Sequence, residues 1–499
     1  MYRDYPEVSF RMGALAAVLS KKGENAAGAA VAMVEAMNPK GSDAYGIASP
    51  TTIKTEDSLE ILKRTNLESS TVVGYAFFRI LPKDKPQPLK LKGAAMVFEG
   101  RLYPSNPSES DVDIVAKKLE RNLEQSATAF VKKTSGDFAF AIAKPEKIVA
   151  GRDAMGVRPL YFGENADFAG LASERKALWS IGIVEALSFP PGCVSLVERN
   201  GFNFAVARRI LYSEPRGTTM QAAAQRLRTL LEHSVRERVS GLKEVVVAFS
   251  GGLDSSIIAS LAKKTRSNVI LIHVSLENEP EVEYAKAAAE ELKLPLYCYL
   301  HAEQEVLETI RKVIGAIEEP DPVKVSVGIP IYWTAEKAAE MGLRVMLAGQ
   351  GADELFGGYK RYLDGYLEGG SERAEKAIFN DIIGMYESNL ERDSKICNHL
   401  NVELRLPLMT NRLARFALKL PLELKMERTG NTLRKLVLRR VAKDLLLPQT
   451  IVDRPKRAIQ YTTGINEALK KMAKQERVSM TEYLKKVFEK TFEDQTLPT

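Results

Sequence analysis

Residues 245–256 read V-V-V-A-F-S-G-G-L-D-S-S, a polar turn set between an apolar run and a helical pattern. The apolar stretch Val245 to Phe249 predicts a buried strand, and the pattern from Ser255 to about Lys263 predicts a helix. The chemistry lies between them, in Ser250, Gly251, Gly252, Asp254, Ser255 and Ser256. A helix start carries unpaired N–H groups and the positive end of its dipole, so it can hold a phosphate. The two glycines have no Cβ and let the backbone come close to an anion. The spacing is not that of a Walker loop, whose lysine is missing. In its place stand hydroxyls and one carboxylate, Asp254, a candidate Mg²⁺ ligand. The competing reading, an ordinary strand–turn–helix with an Asp/Ser cap, leaves the long S-G-G-L-D-S-S run unexplained.

A second strand exit, A-G-Q-G-A-D-E-L-F-G-G-Y over Ala348–Tyr359, has the same logic. Gly349 and Gly351 sit at the strand end beside two carboxylates, Asp353 and Glu354. Two such exits from one parallel sheet can bring Asp254 and Asp353 to the same magnesium–pyrophosphate.

The elements that must position these residues follow from hydrophobic period. After a polar stretch at 212–220 containing Pro215 and Gly217, helices and apolar strands alternate. The expected order is helix 220–239, strand 244–249, the helix from Ser255, and strand Asn268–Ser275. It continues with helix 282–292, strand 294–300, helices to about Met341, and strand 343–348. Alternation with apolar strands predicts a parallel sheet covered on both faces, with ligands at the C-terminal strand ends. From Glu372 on the pattern is mostly helical, closing with a helix that starts at Ser479 and Glu482. Before residue 210, short strands with glycine turns predominate, with helical patterns at 26–37 and 111–132. That density predicts sheets packed face to face.

Composition sets the outer bounds. A chain of 499 residues, 45% apolar and 27% charged, suits two or three globular domains. No run of about twenty apolar residues occurs, and Arg3, Asp4, Glu7 and Arg11 break any signal-peptide pattern. Cys193, Cys298 and Cys397 are too far apart for a zinc site or a disulfide framework, so the cytoplasm is the expected compartment. Cys298, in L-P-L-Y-C-Y-L, reads as a buried small hydrophobe. The net charge of +7 is a mild excess that suits nucleotide and acidic substrates. The densest basic cluster, Arg434, Lys435, Arg439 and Arg440, reads as one face of a helix rather than a nucleic-acid tract.

Further on come V-E-L-R-L-P-L (402–408), K-L-V-L-R (435–439), L-P-Q-T-I-V-D-R-P-K-R (447–457) and Q-Y-T-T-G (460–464). With the two glycine turns, in this order, the set resembles the synthetase domain of asparagine synthetases. The resemblance implies an α/β ATP-pyrophosphatase domain over 220–499 that adenylates a carboxylate and then amidates it. ATP and Mg²⁺ are the implied cofactors, with aspartate the default acceptor, giving asparagine, AMP and pyrophosphate. Ser250, Gly251, Gly252, Asp254, Ser255, Ser256, Val274, Gly349 and Gly351 are the expected nucleotide-binding set. Asp254 and Asp353 are the expected metal ligands, and Lys456 matches the family's catalytic lysine. The family pattern has an acidic residue two before the Ala-Asp-Glu triplet, where this chain has Gln350. A neutral amide cannot take a proton, which leaves Glu354, four residues on, as one candidate replacement. Two alternatives stay open: adenylation of another carboxylate for another amine, and an inactive nucleotide-binding regulatory protein.

Residues 1–210 resemble the glutamine amidotransferase half of the same family, an N-terminal-nucleophile-hydrolase sandwich of α+β type. The matching segments are Met12–Gly23, Asn38–Ala48, Ser135–Ala143 and Gly151–Tyr161. The family's nucleophile is a cysteine with a free α-amine, and the matching position here is Gly13. Its Asn-Gly-Glu oxyanion loop is replaced by Glu99-Gly100-Arg101, and its substrate-clamp arginine is displaced to Arg79. Only Asp111 remains where a ligand amine could reach it. An inactive glutaminase is therefore expected, with free ammonia as nitrogen donor and small molecules, not nucleic acid or membrane, as partners. Oligomeric state is open, a homodimer among the outcomes.

Overall fold

The computed structural model describes residues 13–37, 42–119, 122–427, 433–455 and 459–493. The N-terminal part stacks a seven-stranded and a six-stranded antiparallel sheet face to face. Side chains alternate across each strand, as a period of two requires. In the strand Ala14–Ser20, Leu15, Ala17 and Leu19 enter the core between the sheets, against Ala139, Ala141 and Ala143 of the strand Gly136–Lys144. Ala14, Ala16 and Val18 point the other way and pack under the helix Ala27–Met37. The second sheet's outer face, with Met96, Phe98 and Phe140, is covered by the helices Asp111–Leu119 and Leu123–Lys133. The two sheets face each other as expected, and helices cover them on the outside to make four layers. The single helix expected over 111–132 is two helices. Asn122 precedes the second with φ of 45°, a left-handed conformation that Asn tolerates better than most residues.

The C-terminal half holds a five-stranded sheet in which every neighbouring pair is parallel. From one edge its strands are Leu296–His301, Asn268–Leu276, Glu244–Ala248, Val345–Leu347 and Glu403–Arg405. Numbered along the chain the order is 3-2-1-4-5, so winding direction reverses between the first and fourth strands. Such a reversal opens a crevice at the strands' C-terminal ends. Both glycine turns leave the sheet there. The strand Leu296–His301 is an edge strand, and Cys298 on it is only partly buried; an edge leaves one side uncovered that the apolar run did not reveal. Apart from the strand Glu403–Arg405, the regular elements from Lys360 onward are helical. The last, Met480–Thr491, starts with the Ser479 hydroxyl accepting from the Glu482 N–H, as the sequence predicts. No helix among the described residues is long and apolar enough to cross a membrane.

Candidate active site at the sheet crossover

A cavity of about 700 Å³ opens over the crevice. Ser250, Gly252, Asp254, Ser255, Val274, Gly349, Gln350, Asp353 and Glu354 all line it. The remaining expected nucleotide-binding residues shape the turns from behind. Gly251 has φ of +66°, and a Cβ there would meet the Ala285 backbone at 2.9 Å. Gly351, at φ of +90°, is pressed against the Met409 side chain. Ser256 is fully buried one position further into the helix Leu253–Lys263. Lys456 lies outside the described residues.

The two turns meet at Lys435, a residue outside the expected site set. Lys435 Nζ lies 2.6 Å from Asp254 Oδ2 and 2.7 Å from Asp353 Oδ1. Lys435 is buried, with φ of +61°, and precedes the helix Leu436–Asp444. That left-handed turn swings it off the helix's basic face and into the site, so the cluster 434–440 does not share one surface. Arg434 donates to the Gly358 carbonyl at 2.7 Å. Arg439 is buried, ties the Arg434, Val452 and Arg454 carbonyls together, and lines the cavity. Of the four, Arg440 stays near the surface, paired with Asp444. Gly358 is what admits the ion pair, since a Cβ there would fall 1.8 Å from Asp353 Oδ1. Lys435 and Arg439 belong to the K-L-V-L-R motif; motif membership pointed to them, while the charge pattern pointed elsewhere.

The first glycine turn is braced by its hydroxyls. Ser250 Oγ accepts from the Gly252 N–H at 3.3 Å, and Ser255 Oγ donates to the Gly252 carbonyl at 3.3 Å. Asp254 Oδ1 is buried with no hydrogen-bond partner among the described residues. Arg454, at the rim, pairs with Glu281, donates to the Ser250 carbonyl at 3.4 Å and stacks over Tyr284. His273 lines the cavity from the neighbouring strand, its Nδ1 2.9 Å from the Phe249 carbonyl; burial holds its pKa below the ordinary value.

Across the cavity from the turn, Glu354 Oε1 accepts from Tyr359 Oη at 2.7 Å and Asn389 Nδ2 at 2.8 Å. Burial first, and then the charge of Asp353, push its carboxyl pKa up. The helix Pro322–Glu340 contributes an apolar wall through Val327 and Ile331. A carboxylate, a nucleotide and a nucleophile could all be held here, phosphates toward Lys435 and a reacting acyl group toward Glu354.

The pocket that the N-terminal resemblance points to is a different object. Only about 50 Å³ remains beside Gly13, Glu99, Arg101 and Asp111. A Cβ on Gly13 would come within 2.3 Å of the Tyr75 hydroxyl, so the nucleophile's place is filled. Glu99 is buried, accepts from Ser173 Oγ at 2.5 Å and Asn398 Nδ2 at 3.2 Å, and burial pushes its pKa up to about 7. Arg101 forks onto Asp84 at 2.6 and 2.7 Å and reaches Glu403 of the parallel sheet at 2.8 Å. Asp111 is buried 3.8 Å from Arg101 and 3.7 Å from Lys83. Arg79 is not in this pocket; its guanidinium lies near the Phe77 ring.

Comparison with known proteins follows this geometry. The family profile described as asparagine synthase matches residues 226–372 and 366–498, and one described as glutamine amidotransferase domain matches 102–180. A Methanocaldococcus jannaschii protein designated glutamine-hydrolyzing asparagine synthetase 1 is 35% identical over 391 residues, 69% of this chain and 72% of its own length. Glutamine-hydrolyzing asparagine synthetase 3 of Arabidopsis thaliana is 26% identical over 377 residues, 71% of this chain and 62% of its own. Among solved structures, an allosteric regulatory enzyme of purine biosynthesis aligns at TM-score 0.35 and 12% identity, over 57% of this chain and 80% of its own.

Proposed function

We propose an ATP-dependent, amide-forming reaction for this chain, which belongs to the asparagine synthase family. The carrying observation is the meeting of Asp254 and Asp353 on Lys435, at the point where two glycine turns leave a parallel sheet. In the first half-reaction a substrate carboxylate oxygen forms a bond to the α-phosphorus of ATP. The bond to the leaving pyrophosphate breaks, and its electron pair leaves with that pyrophosphate. The N–H groups at the start of the helix Leu253–Lys263, the Ser250 and Ser255 hydroxyls and Lys435 are set to receive that charge. Asp254 and Asp353 fit a divalent cation, since they already converge on one positive charge and Asp254 Oδ1 has no hydrogen-bond partner among the described residues. Mg²⁺ held there would neutralise pyrophosphate charge as a Lewis acid. Lys456 is assigned by family resemblance to the charge developing at phosphorus.

In the second half-reaction an amine nitrogen bonds to the acyl carbon. The acyl C–O bond to AMP breaks, its electron pair goes to AMP, and one N–H proton leaves. Glu354, whose carboxyl is raised by burial, is the proposed acceptor of that proton. Aspartate is the default acceptor acid, the cytoplasm the setting, and ammonia from solution the donor. The donor assignment is supported by the filled pocket beside Gly13. A second reading, another acid and amine, is favoured by one observation, the neutral Gln350 in place of an acidic residue. Incubation with ATP, Mg²⁺, aspartate and ¹⁵N-ammonium should give labelled asparagine and AMP one for one, and glutamine alone should release no glutamate. Amide formed only from a different acid would move the assignment to the second reading. Stoichiometric glutamate release would overturn the donor.

A further inference from the structure

Gln350 does not stand alone. Its Nε2 donates to Asp393 Oδ2 at 2.5 Å, and Asp393 Oδ1 accepts from Arg392 Nε at 2.6 Å. Asp393 is buried on the helix Glu391–His399, while Gln350 and Arg392 both line the cavity. A π-helical turn, Tyr386–Leu390, feeds that helix, and its Asn389 reaches Glu354. Burial raises the Asp393 carboxyl, against the pull of Arg392 and the Gln350 amide. A carboxylate beside a guanidinium accepts hydrogen bonds and does not donate them, so the amide must present its NH₂ end to Asp393. Its Oε1 is then the free end, and no donor among the described residues reaches it.

We propose that Asp393 is a positioning residue for the nitrogen nucleophile: it fixes the Gln350 amide so that Oε1 faces the cavity and accepts an N–H of the incoming amine. The inference rests on the two-step reaction proposed above and concerns only its second step. Where the family pattern has one acidic residue, this chain has an amide and a buried carboxylate behind it. As the C–N bond forms, nitrogen becomes positive before its proton departs. The Gln350 oxygen, held toward that nitrogen by Asp393 behind its NH₂ end, stabilises the charge. The Gln350 oxygen orients the amine without taking its proton. The pair therefore selects amine over water as nucleophile and limits hydrolysis of the adenylate.

The test compares the wild type with Asp393→Asn and with the exchange variant Gln350→Glu/Asp393→Asn, which returns the charge to position 350 and keeps a hydrogen bond between the two positions. Three quantities are read on each protein: ATP–pyrophosphate exchange, KM for ammonium, and AMP released per amide formed. Asp393→Asn should raise KM for ammonium roughly 10- to 100-fold, as expected when one charge-assisted hydrogen bond is lost. AMP should rise above amide, and exchange should fall far less than amidation. The exchange variant should recover most of the coupling. Unchanged ammonium KM and coupling in Asp393→Asn would overturn the proposal, as would an equal fall in exchange and amidation that the exchange variant does not relieve. Absence of exchange in the wild type with every carboxylate would instead sink the underlying two-step reading, and this inference with it.

Discussion

The cavity at the sheet crossover and the pocket beside Gly13 contain the same kinds of parts. Each has glycines, carboxylates with little exposure and a buried cation. In the first, Asp254, Asp353 and Lys435 line open space, and Asp254 Oδ1 has no hydrogen-bond partner among the described residues. In the second, Arg101 is consumed by Asp84 and Glu403, Glu99 by Ser173 and Asn398, and Tyr75 occupies the nucleophile's place. Charges left facing a void can act on a ligand, whereas charges that satisfy one another fasten two halves of a molecule together.

The largest effect should come from breaking the first region. Asp254→Asn removes one of the two carboxylates at the convergence point and should lower ATP–pyrophosphate exchange roughly 10³-fold, the upper range for one preorganised group. Its circular dichroism and melting temperature should stay near those of the wild type, since the cavity is not what holds the fold. Near-normal exchange at moderate Mg²⁺ would dissolve the contrast between the regions.

Glu403→Gln asks the converse question of the second region. Glu403 is buried among Arg101, Arg405 and Arg158, and their charges, overcoming burial, hold its carboxyl down at about 2. The unfolded chain takes up that proton near the ordinary 4.5. Stability from this group is thus present above pH 4.5 and is lost as pH falls toward about 2. Removing the charge leaves buried guanidiniums uncompensated and should cost about 3–5 kcal/mol in denaturant melts at pH 7. If the melts of wild type and variant coincide, Glu403 fastens nothing.

Lys456→Ala sharpens the first region again. A charge acting mainly in the transition state should lower kcat roughly 10²-fold with a smaller change in KM for ATP. A change confined to KM would make it a ground-state binding group.

Glu99→Gln should change stability by less and in the opposite direction. The native carboxyl titrates at about 7, so between pH 4.5 and 7 the folded protein holds a proton that the unfolded chain has released. Stability falls as pH rises across that window. The neutral amide avoids this loss and should stabilise the protein by about 1–3 kcal/mol at pH 8. A variant less stable than the wild type at pH 8 would mean that Glu99 is held as a charge. The smallest effect belongs to Gly13→Cys, which should create no glutaminase, because Tyr75 meets the new side chain. Glutamate released from glutamine by this variant would show the pocket able to open.

Much of this was legible in the chain itself. The glycine turns announced the crossover because local spacing and helix-start chemistry are local properties, and strand–helix alternation announced the parallel sheet. Lys435 was harder to place, since one left-handed residue moves it off the helical face that its neighbours' charges suggest. Asp393 lies 43 positions from the amide it holds, a pairing with no periodic signature. The loss of the cysteine could be read at Gly13, but its consequence could not. That Tyr75 fills the gap, and that Arg101 turns toward Glu403, are facts of packing between distant strands.

The most direct test of the account is ATP–pyrophosphate exchange by the purified chain, measured with Mg²⁺ and a panel of carboxylates and repeated on Asp254→Asn. The account predicts exchange that depends on a carboxylate, aspartate first, and that disappears in the variant. Exchange with no acid at all, or exchange that survives loss of Asp254, would contradict it.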